Sequence, residues 1–447
     1  MRVVLCGDFL FSSRNLVNRI DPKLVEIFKS ADAVFANAEF STPHQDTPPG
    51  FTMYLTSVHP VTLNEFVDLN IKLVNFANNH TVDYGWRGCL DTIEEAEARD
   101  LQACGIGRNL SDARKAKFLD TAKGRVGVVA ASSTWSDRAL GADASADTVA
   151  RPGLAPLRWG HTYYVTEEQF EQLKAIDKAW GTRESMDETG RVETWEPQGE
   201  NSFKLGSAME HFLFVEKGEK PEVRNYTNKE DEDALLRSIR DASRRSDYVV
   251  ASVHSHEGKN ENWYSDYSPE FLEDFAHKAI DAGASVFVSH GAHYPRGVEI
   301  YKGKPIFYDL GSTVMEFEAG NSMVSPEMYH TYHLPADAYP SDLHGFRARY
   351  EDGTWKGFYA ERRFSEHFVV VVDIDDESGK AKYSLVPIDI DMQRENPIKR
   401  GLPMVAEPAV AEHLAEDMNR RSDCYGTRFE YDAADGRIYF SRKSGEA

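Results

Sequence analysis

The sequence predicts an α/β protein whose largely buried sheet is flanked by helices and interrupted by two insertions. Three observations carry that reading. Short apolar runs alternate with helical segments over residues 1–132 and again over 231–312, the rhythm of strand–helix–strand units. The runs are rich in Val, Ile, Leu, Ala and Phe, as strands buried on both faces are. Five of them end in Asp, Asn/Glu, Asn/His or His/His, and the carboxyl end of a buried strand is where α/β proteins place chemistry.

The first strand begins at Arg2, and Arg2-Val-Val-Leu-Cys6 runs into Gly7-Asp8. A helix is expected from Asp21-Pro22 to Ser30, because Pro22 in the first turn helps to start it. A strand at 33–36 leads to Asn37-Ala38-Glu39. After a helix over Pro60 to Leu69, the strand at 71–76 leads to Asn78-Asn79-His80, with Asp83 just beyond. A Glu- and Ala-rich helix, Trp86 to Arg99, and strands near 101–104 and 126–132 complete this half.

Residues 133–230 break the rhythm, with Trp135, Trp159, Trp180 and Trp195 and one expected helix, Glu167–Trp180. An excursion this long beside an active rim predicts a lid or substrate-binding subdomain, the alternative being a helical decoration. Alternation returns with a helix at Asp231–Arg245, a strand at 247–253 ending in His254-Ser255-His256, and a helix at Pro269–Ala282. The strand at 285–288 ends in Ser289-His290-Gly291-Ala292-His293, and strands follow at 297–301 and 305–309. A second insertion, 313–363, concentrates aromatic residues with Arg347, Arg349, Arg362 and Arg363. Guanidinium forks match carboxylates, so it is expected to form a pocket wall for a carboxylate-bearing, aromatic or peptidic ligand. The alternative is that these arginines pair with neighbouring acids on a solvated face. Residues 364–447 should complete the core with a strand pair at 366–374 and 382–390, a helix at 408–421 and strands near 427–431 and 437–441.

Composition narrows the function. The chain has 447 residues and a net charge of −22, a field that repels nucleic acid. It shows no signal-peptide pattern and no apolar run near the ~18–20 residues that span a bilayer. Cys6, Cys89, Cys104 and Cys424 are scattered without metal-binding spacing, which suits reduced thiols. The expectation is a cytoplasmic protein with no membrane and no nucleic-acid partner; composition does not give its oligomeric state. Carboxylate, amide and imidazole at the strand ends make a mixed oxygen and nitrogen shell suited to Mn, Zn or Fe.

The ordered series Gly7-Asp8, Asn37-Ala38-Glu39, Ala77-Asn78-Asn79-His80 with Asp83-Tyr84-Gly85, Gly105-Ile106-Gly107, His254, His290-x-x-His293 and Tyr308-Asp309-Leu310-Gly311 resembles the CapA family. These are poly-γ-glutamate synthesis proteins on the calcineurin-like metallophosphoesterase fold. The resemblance covers about residues 1–312, apart from roughly 134–230. It implies a layered α/β/β/α sandwich and metal-ligand roles for Asp8, Glu39, Asn79, His254, His290 and His293. It also implies that His80 faces the reacting group. The usual Asp-x-His opening is Asp8-Phe9-Leu10 here, and the usual His-Trp-Gly is His254-Ser255-His256. One ligand is thus missing and one imidazole added, so one well-held divalent metal is expected in place of a full pair.

Those parts serve several reactions: phosphoester hydrolysis, amide chemistry on a glutamyl or peptide chain, or inversion of a Cα centre. The family includes cytosolic relatives that epimerise a residue of ribosomal lasso peptides, and this chain shares their lack of an anchor segment. The favoured expectation is a metal-dependent peptide-modifying enzyme, epimerisation ahead of hydrolysis. His80 would move one proton and His256 or Asp83 the other. A phosphoesterase or amide hydrolase, a polyglutamate-synthesis component and a non-enzymatic scaffold are the alternatives.

Overall fold

The computed structural model describes residues 1–447 except 51–54, 136, 196–198, 209–210, 318–323, 336 and 444–447. Its centre is two sheets packed face to face. In the first sheet, Arg2–Leu10 lies between Ala33–Ala38, parallel, and Glu366–Ile374, antiparallel. Leu73–Asn75 and Gln102–Cys104 extend it on one side. Ala381–Asp389, Arg437–Arg442 and Thr427–Asp432 extend it on the other. In the second sheet, Gly124–Ser132, Tyr248–His254, Val286–His290 and Lys304–Phe307 run parallel. Antiparallel edge strands, Lys117–Thr121 and Val298–Tyr301, close it.

Side-chain alternation along these strands produces the layers. Val3, Leu5 and Phe35 of the first sheet meet Val128, Val250 and Val288 of the second in one core. The intervening Val4, Cys6 and Val34 face the other way, onto Leu24 and Phe28 of helix Pro22–Ser30 and Ile93 of helix Gly85–Glu97. Val249, Ala251 and Phe287 pack on Leu235 and Ile239 of helix Lys229–Ser243 and Phe275 of helix Glu270–Asp281. The result is the layered α/β/β/α sandwich that the sequence predicts. Local chemistry explains why several helices begin where the sequence places them. Asp21 accepts a hydrogen bond from the Lys23 amide at 2.8 Å ahead of Pro22. Thr166 and Gln169 form a capping box, and Gly181 at φ 79° ends the helix Glu167–Trp180.

The insertions differ from expectation in extent. Residues 153–157 belong to the main body: Gly153–Leu154 pairs with Ile106–Gly107, and Leu157 is buried under the second sheet. The separate subdomain begins with strand Trp159–Val165. Besides the expected helix and a second one, Thr182–Val192, it holds a four-stranded sheet with Ser202–Gly206, Phe212–Lys217 and Glu222–Thr227. Its small core is Phe170, Phe203 and Val215. Phe212–Lys217 opens with the apolar run Phe212-Leu213-Phe214-Val215, which the expectation of a single helix passed over, while Ser202–Gly206 and Glu222–Thr227 mix polar and apolar residues. At the second insertion, Ser312–Met315 pairs with the end of Arg2–Leu10, and the excursion starts only after it. Among the described residues no helix is long and apolar enough to cross a membrane.

One glycine sets how closely two site-bearing segments approach. A Cβ on Gly7 would lie 1.8 Å from the Gly311 carbonyl oxygen and 2.8 Å from its carbon. Gly7→Ala must therefore push apart the strand carrying Asp8 and the loop before Ser312. A loss of ~1–3 kcal/mol is expected in urea unfolding, and an unchanged midpoint would contradict this packing.

Candidate metal centre

Strand register brings the polar ends together. Asp8 stands opposite Asn37 and Ser312, with an irregularity between Asp8 and Phe9 that turns the strand end. His254 and His290 are direct partners on neighbouring parallel strands of the second sheet. Glu39 follows the second strand, and His256 and His293 lie in the loops after the two histidine strands. Those loops need unusual backbone. His293 adopts φ 64°, and Gly291, at φ 120°, could not carry a Cβ without its lying 2.8 Å from His256 Cδ2 and 2.9 Å from His254 Cε1.

The six side chains form two adjacent triads, Asp8 with His254 and His290, and Glu39 with His256 and His293, each with its ligand atoms within 4.8 Å of one another. In the first, Asp8 Oδ1 lies 3.6 Å from His290 Nδ1, and His254 Nδ1 lies 3.0 Å from His290 Nδ1. In the second, Glu39 Oε1 lies 3.6 Å from His256 Nε2, and Glu39 Oε2 lies 3.6 Å from His293 Nδ1. Glu39 and Asp8 both reach across: Glu39 Oε1 is 3.9 Å from His254 Nε2, and Asp8 Oδ2 is 3.3 Å from His293 Nδ1. Asn79 places its amide oxygen 2.9 Å from His254 Nε2. The structure thus joins all six residues of the implied ligand set, Asp8, Glu39, Asn79, His254, His290 and His293, and adds His256.

Two observations fit this cluster to divalent metal. Glu39 Oε2 and His256 Nε2 are buried without a hydrogen-bond partner, a costly state for groups that a cation would satisfy. The protonation pattern agrees. Burial pushes Glu39 up to about 8, with His293 pulling it back and Asp8 pushing it further. Burial lowers His293, but Glu39 and Asp8 outweigh it and hold it at about 9. Burial, with His293, drives His256 down to about 3, and burial drives His290 down to about 4 against the pull of Asp8. His254 is pushed far below its usual value by burial and the other imidazoles. Neutral imidazoles beside buried carboxylates are a ligand set for a borderline cation, whose binding would expel the remaining protons.

Second-layer groups orient the ligands. Asn37 donates to Asp8 Oδ1 at 2.8 Å and accepts from Asn75 at 2.7 Å. Ser252 Oγ holds His290 Nε2 at 2.9 Å. Glu257, buried beneath the His254–His256 turn, accepts from Ser133 at 2.5 Å, Thr134 at 2.8 Å and Ser255 at 2.9 Å. Asp309 accepts the Ala292 and Gly311 amides at 2.9 and 2.7 Å, and burial and Asp8 raise it to about 7. Sequence reading assigned no role to Glu257 or Asp309. Asp309 ends an expected strand and had the same signal as the ligands. Glu257 had none, because two of its donors, Ser133 and Thr134, are over a hundred residues away.

His80 lies beside the cluster. Its Nδ1 is 2.7 Å from Asp83 Oδ2, and its Nε2 is 3.3 Å from Thr56 Oγ1. Burial lowers the imidazole, but Asp83 outweighs it and the net shift is upward. His80, Glu39, Asn79, His256 and His293 line one open cleft of about 1530 Å³. Trp135, Trp263, Tyr264, Phe317 and Phe358 supply apolar wall, and Arg347 supplies a cation.

Of the four arginines expected there, Arg347 alone lines this cleft among the described residues. Arg349 stacks 3.5 Å over Trp355 and pairs with Glu395 at 3.1 Å. Arg362 pairs with Glu366, and Arg363 with Glu361 at 2.8 Å. From the first insertion, only Thr134 and Trp135 line the cleft among the described residues. The subdomain instead braces the loop carrying Trp263 and Tyr264, through His161 at 3.1 Å from Glu261. A further cluster, His44, Asp91 and Glu94, already contains its cation: Arg87 Nε is 2.7 Å from Asp91.

Similarity to known proteins follows the same segments. The family model described as bacterial capsule synthesis protein PGA_cap matches residues 2–316. An uncharacterized Sinorhizobium fredii protein, y4sH, is 27% identical over 98% of this chain and 92% of its own length. The PGA biosynthesis protein CapA of Bacillus subtilis is 24% identical, over 71% of this chain and 63% of that protein. A probable polyglutamine synthesis accessory protein of Mycobacterium tuberculosis, Rv0574c, is 23% identical over 58% of this chain and 50% of its own. Among solved structures, a phosphatase from Mycoplasma pneumoniae is 12% identical with a TM-score of 0.40, over 87% of this chain and 93% of that one. With the family match spanning more than two thirds of its length, and the motif residues gathered where strand ends of the two sheets meet, this chain belongs to the bacterial capsule synthesis (PGA_cap, CapA) family.

Proposed function

We propose that the protein is a metal-dependent enzyme that cleaves an amide bond in a peptide or glutamyl-type substrate, with His80 as its proton donor. The observation that carries this reading is the placement of the proton carriers. Inverting a Cα centre needs one group on each face of the substrate. His256, expected to be the second, stands in the Glu39 triad, and Asp83 backs His80 at 2.7 Å. One imidazole–carboxylate pair beside a ligand cluster favours cleavage over epimerisation.

Metal held by the two triads would polarise the carbonyl oxygen and lower the pKa of a bound water. Asp83 fixes the His80 ring through Nδ1, so Nε2 presents the transferable proton. That proton would pass to the leaving nitrogen when water adds to the carbonyl carbon and the carbon–nitrogen bond breaks. Arg347 would hold a carboxylate, and the aromatic walls favour a peptide-like chain over a phosphoester. The names of the Bacillus and Mycobacterium relatives point to the same substrate class. Free Cys6, Cys89, Cys104 and Cys424 suit a reducing, cytoplasmic setting.

Incubation with γ-glutamyl and α-peptides in D₂O separates the two reactions. Cleavage should yield fragments whose Cα carries no deuterium. An intact peptide with one deuterium and a D-residue would restore epimerisation and overturn this proposal. Arg347→Glu should raise KM roughly tenfold or more, whereas Arg349→Glu should leave it unchanged.

A further inference from the structure

A second cavity adjoins the metal cleft, and its chemistry bears on what the substrate carries beside the reacting bond. The two share Leu10, Phe317 and Arg347. Thr56, whose hydroxyl is 3.3 Å from His80 Nε2, also lines the second cavity. The space is walled by Phe11, Leu55, Val58, Met328 and Leu343. Among the described residues its one carboxylate, Glu316, is bound by Ser13 and by Arg19 at 2.8 Å, so its charge is matched. His344, only 8% exposed, also lines the cavity. Its Nδ1 is buried without a hydrogen-bond partner. An apolar cavity keeping one unmatched polar atom is the form of a ligand pocket. In a packed core such an atom is a cost that needs a reason.

Resting on the amide-cleavage reading, we infer that this side pocket receives a bulky apolar side chain of the substrate. That residue would be next to the bond that reacts. The Arg347 guanidinium, common to both cavities, would hold the carboxylate or carbonyl between them, and His344 would meet one polar atom of the guest. The preferred substrate is then a peptide-like chain with a leucine- or phenylalanine-sized residue at that position. A plain polyglutamate chain would leave the pocket unfilled.

Calorimetric titration of the full chain with N-acetylglycine, N-acetyl-leucine and N-acetyl-phenylalanine tests this without requiring turnover. The pocket reading can therefore fail while cleavage stands, and the reverse. The two apolar ligands should bind ~10- to 100-fold more tightly than the glycine derivative. Met328→Trp, which fills the cavity, should abolish that preference at unchanged metal content. Met328→Ala, which enlarges it, should shift preference toward phenylalanine. Equal affinities in the wild type, no measurable binding of any of the three, or a leucine preference that survives Met328→Trp in folded protein would each overturn the inference.

Discussion

Asp8→Ala and Glu39→Ala are expected to lose divalent metal and, with it, turnover. Each removes a buried carboxylate from a triad, and each leaves imidazoles facing one another without the charge that draws a cation. Substituting partners that only orient ligands typically lowers metal affinity about 10- to 100-fold; Asn37→Ala, which leaves Asp8 with the Gly291 amide but without its side-chain donor, should fall in that range. Direct ligands should cost more. Elemental analysis of wild-type protein should approach two ions per chain, against the single well-held ion that the missing Asp-x-His ligand led the sequence to predict, because His256 completes a second triad with Glu39 and His293. Glu39→Ala should reduce both sites, since this carboxylate reaches His254 as well as His256 and His293. Metal at a hundredfold excess over its Kd would stabilise the fold by about 2.7 kcal/mol, and a chelator should remove that increment from the thermal midpoint. The pH dependence has a definite sign. Glu39 near 8 and His293 near 9 hold protons at neutral pH that metal must displace. Affinity should therefore rise with pH through that window and fall steeply below it. A metal-free protein whose melting ignores added Mn, Zn and Fe would contradict the assignment.

The second large effect concerns His80. Its replacement by Ala should lower kcat by roughly 10²- to 10⁴-fold, the usual contribution of a positioned acid or base, with metal content unchanged. Asp83→Asn should be milder and should move the pH profile. Asp83 is the charge that carries His80 above its ordinary value against burial. If His80 acts as an acid, activity is present below its pKa and lost as pH rises through it. Removing the Asp83 charge should bring that alkaline limb to lower pH. An unchanged kcat in His80→Ala would remove His80 from the chemistry while leaving the metal centre in place.

How much of this was legible in the sequence depends on the range over which each feature is determined. Helix Glu167–Trp180 was readable to the residue because its capping box and terminal glycine are local. The strands that deliver Asp8, Glu39, His254 and His290 were readable because both faces are buried and their side chains form apolar runs; the first runs past Asp8 to Leu10, so its end was not. Of the subdomain strands between 202 and 227, Phe212–Lys217 carries such a run and was passed over, whereas Ser202–Gly206 and Glu222–Thr227 mix polar and apolar side chains around a core of three buried residues. The same distinction holds at the site. That these acids, amides and imidazoles would stand at strand carboxyl ends followed from the sequence, since parallel strands deliver their ends to the same side; that two sheets, and not one, bring them together was decided by tertiary packing. Which residues share a triad was decided by register, His254 against His290, and by the left-handed turn of Gly291 and His293 that swings the second pair of rings into place. Tertiary packing likewise turned Arg347 into the cleft and committed Arg349 to Trp355 and Glu395. Two arginines a single residue apart carry the same local signal; only the surfaces they meet tell them apart.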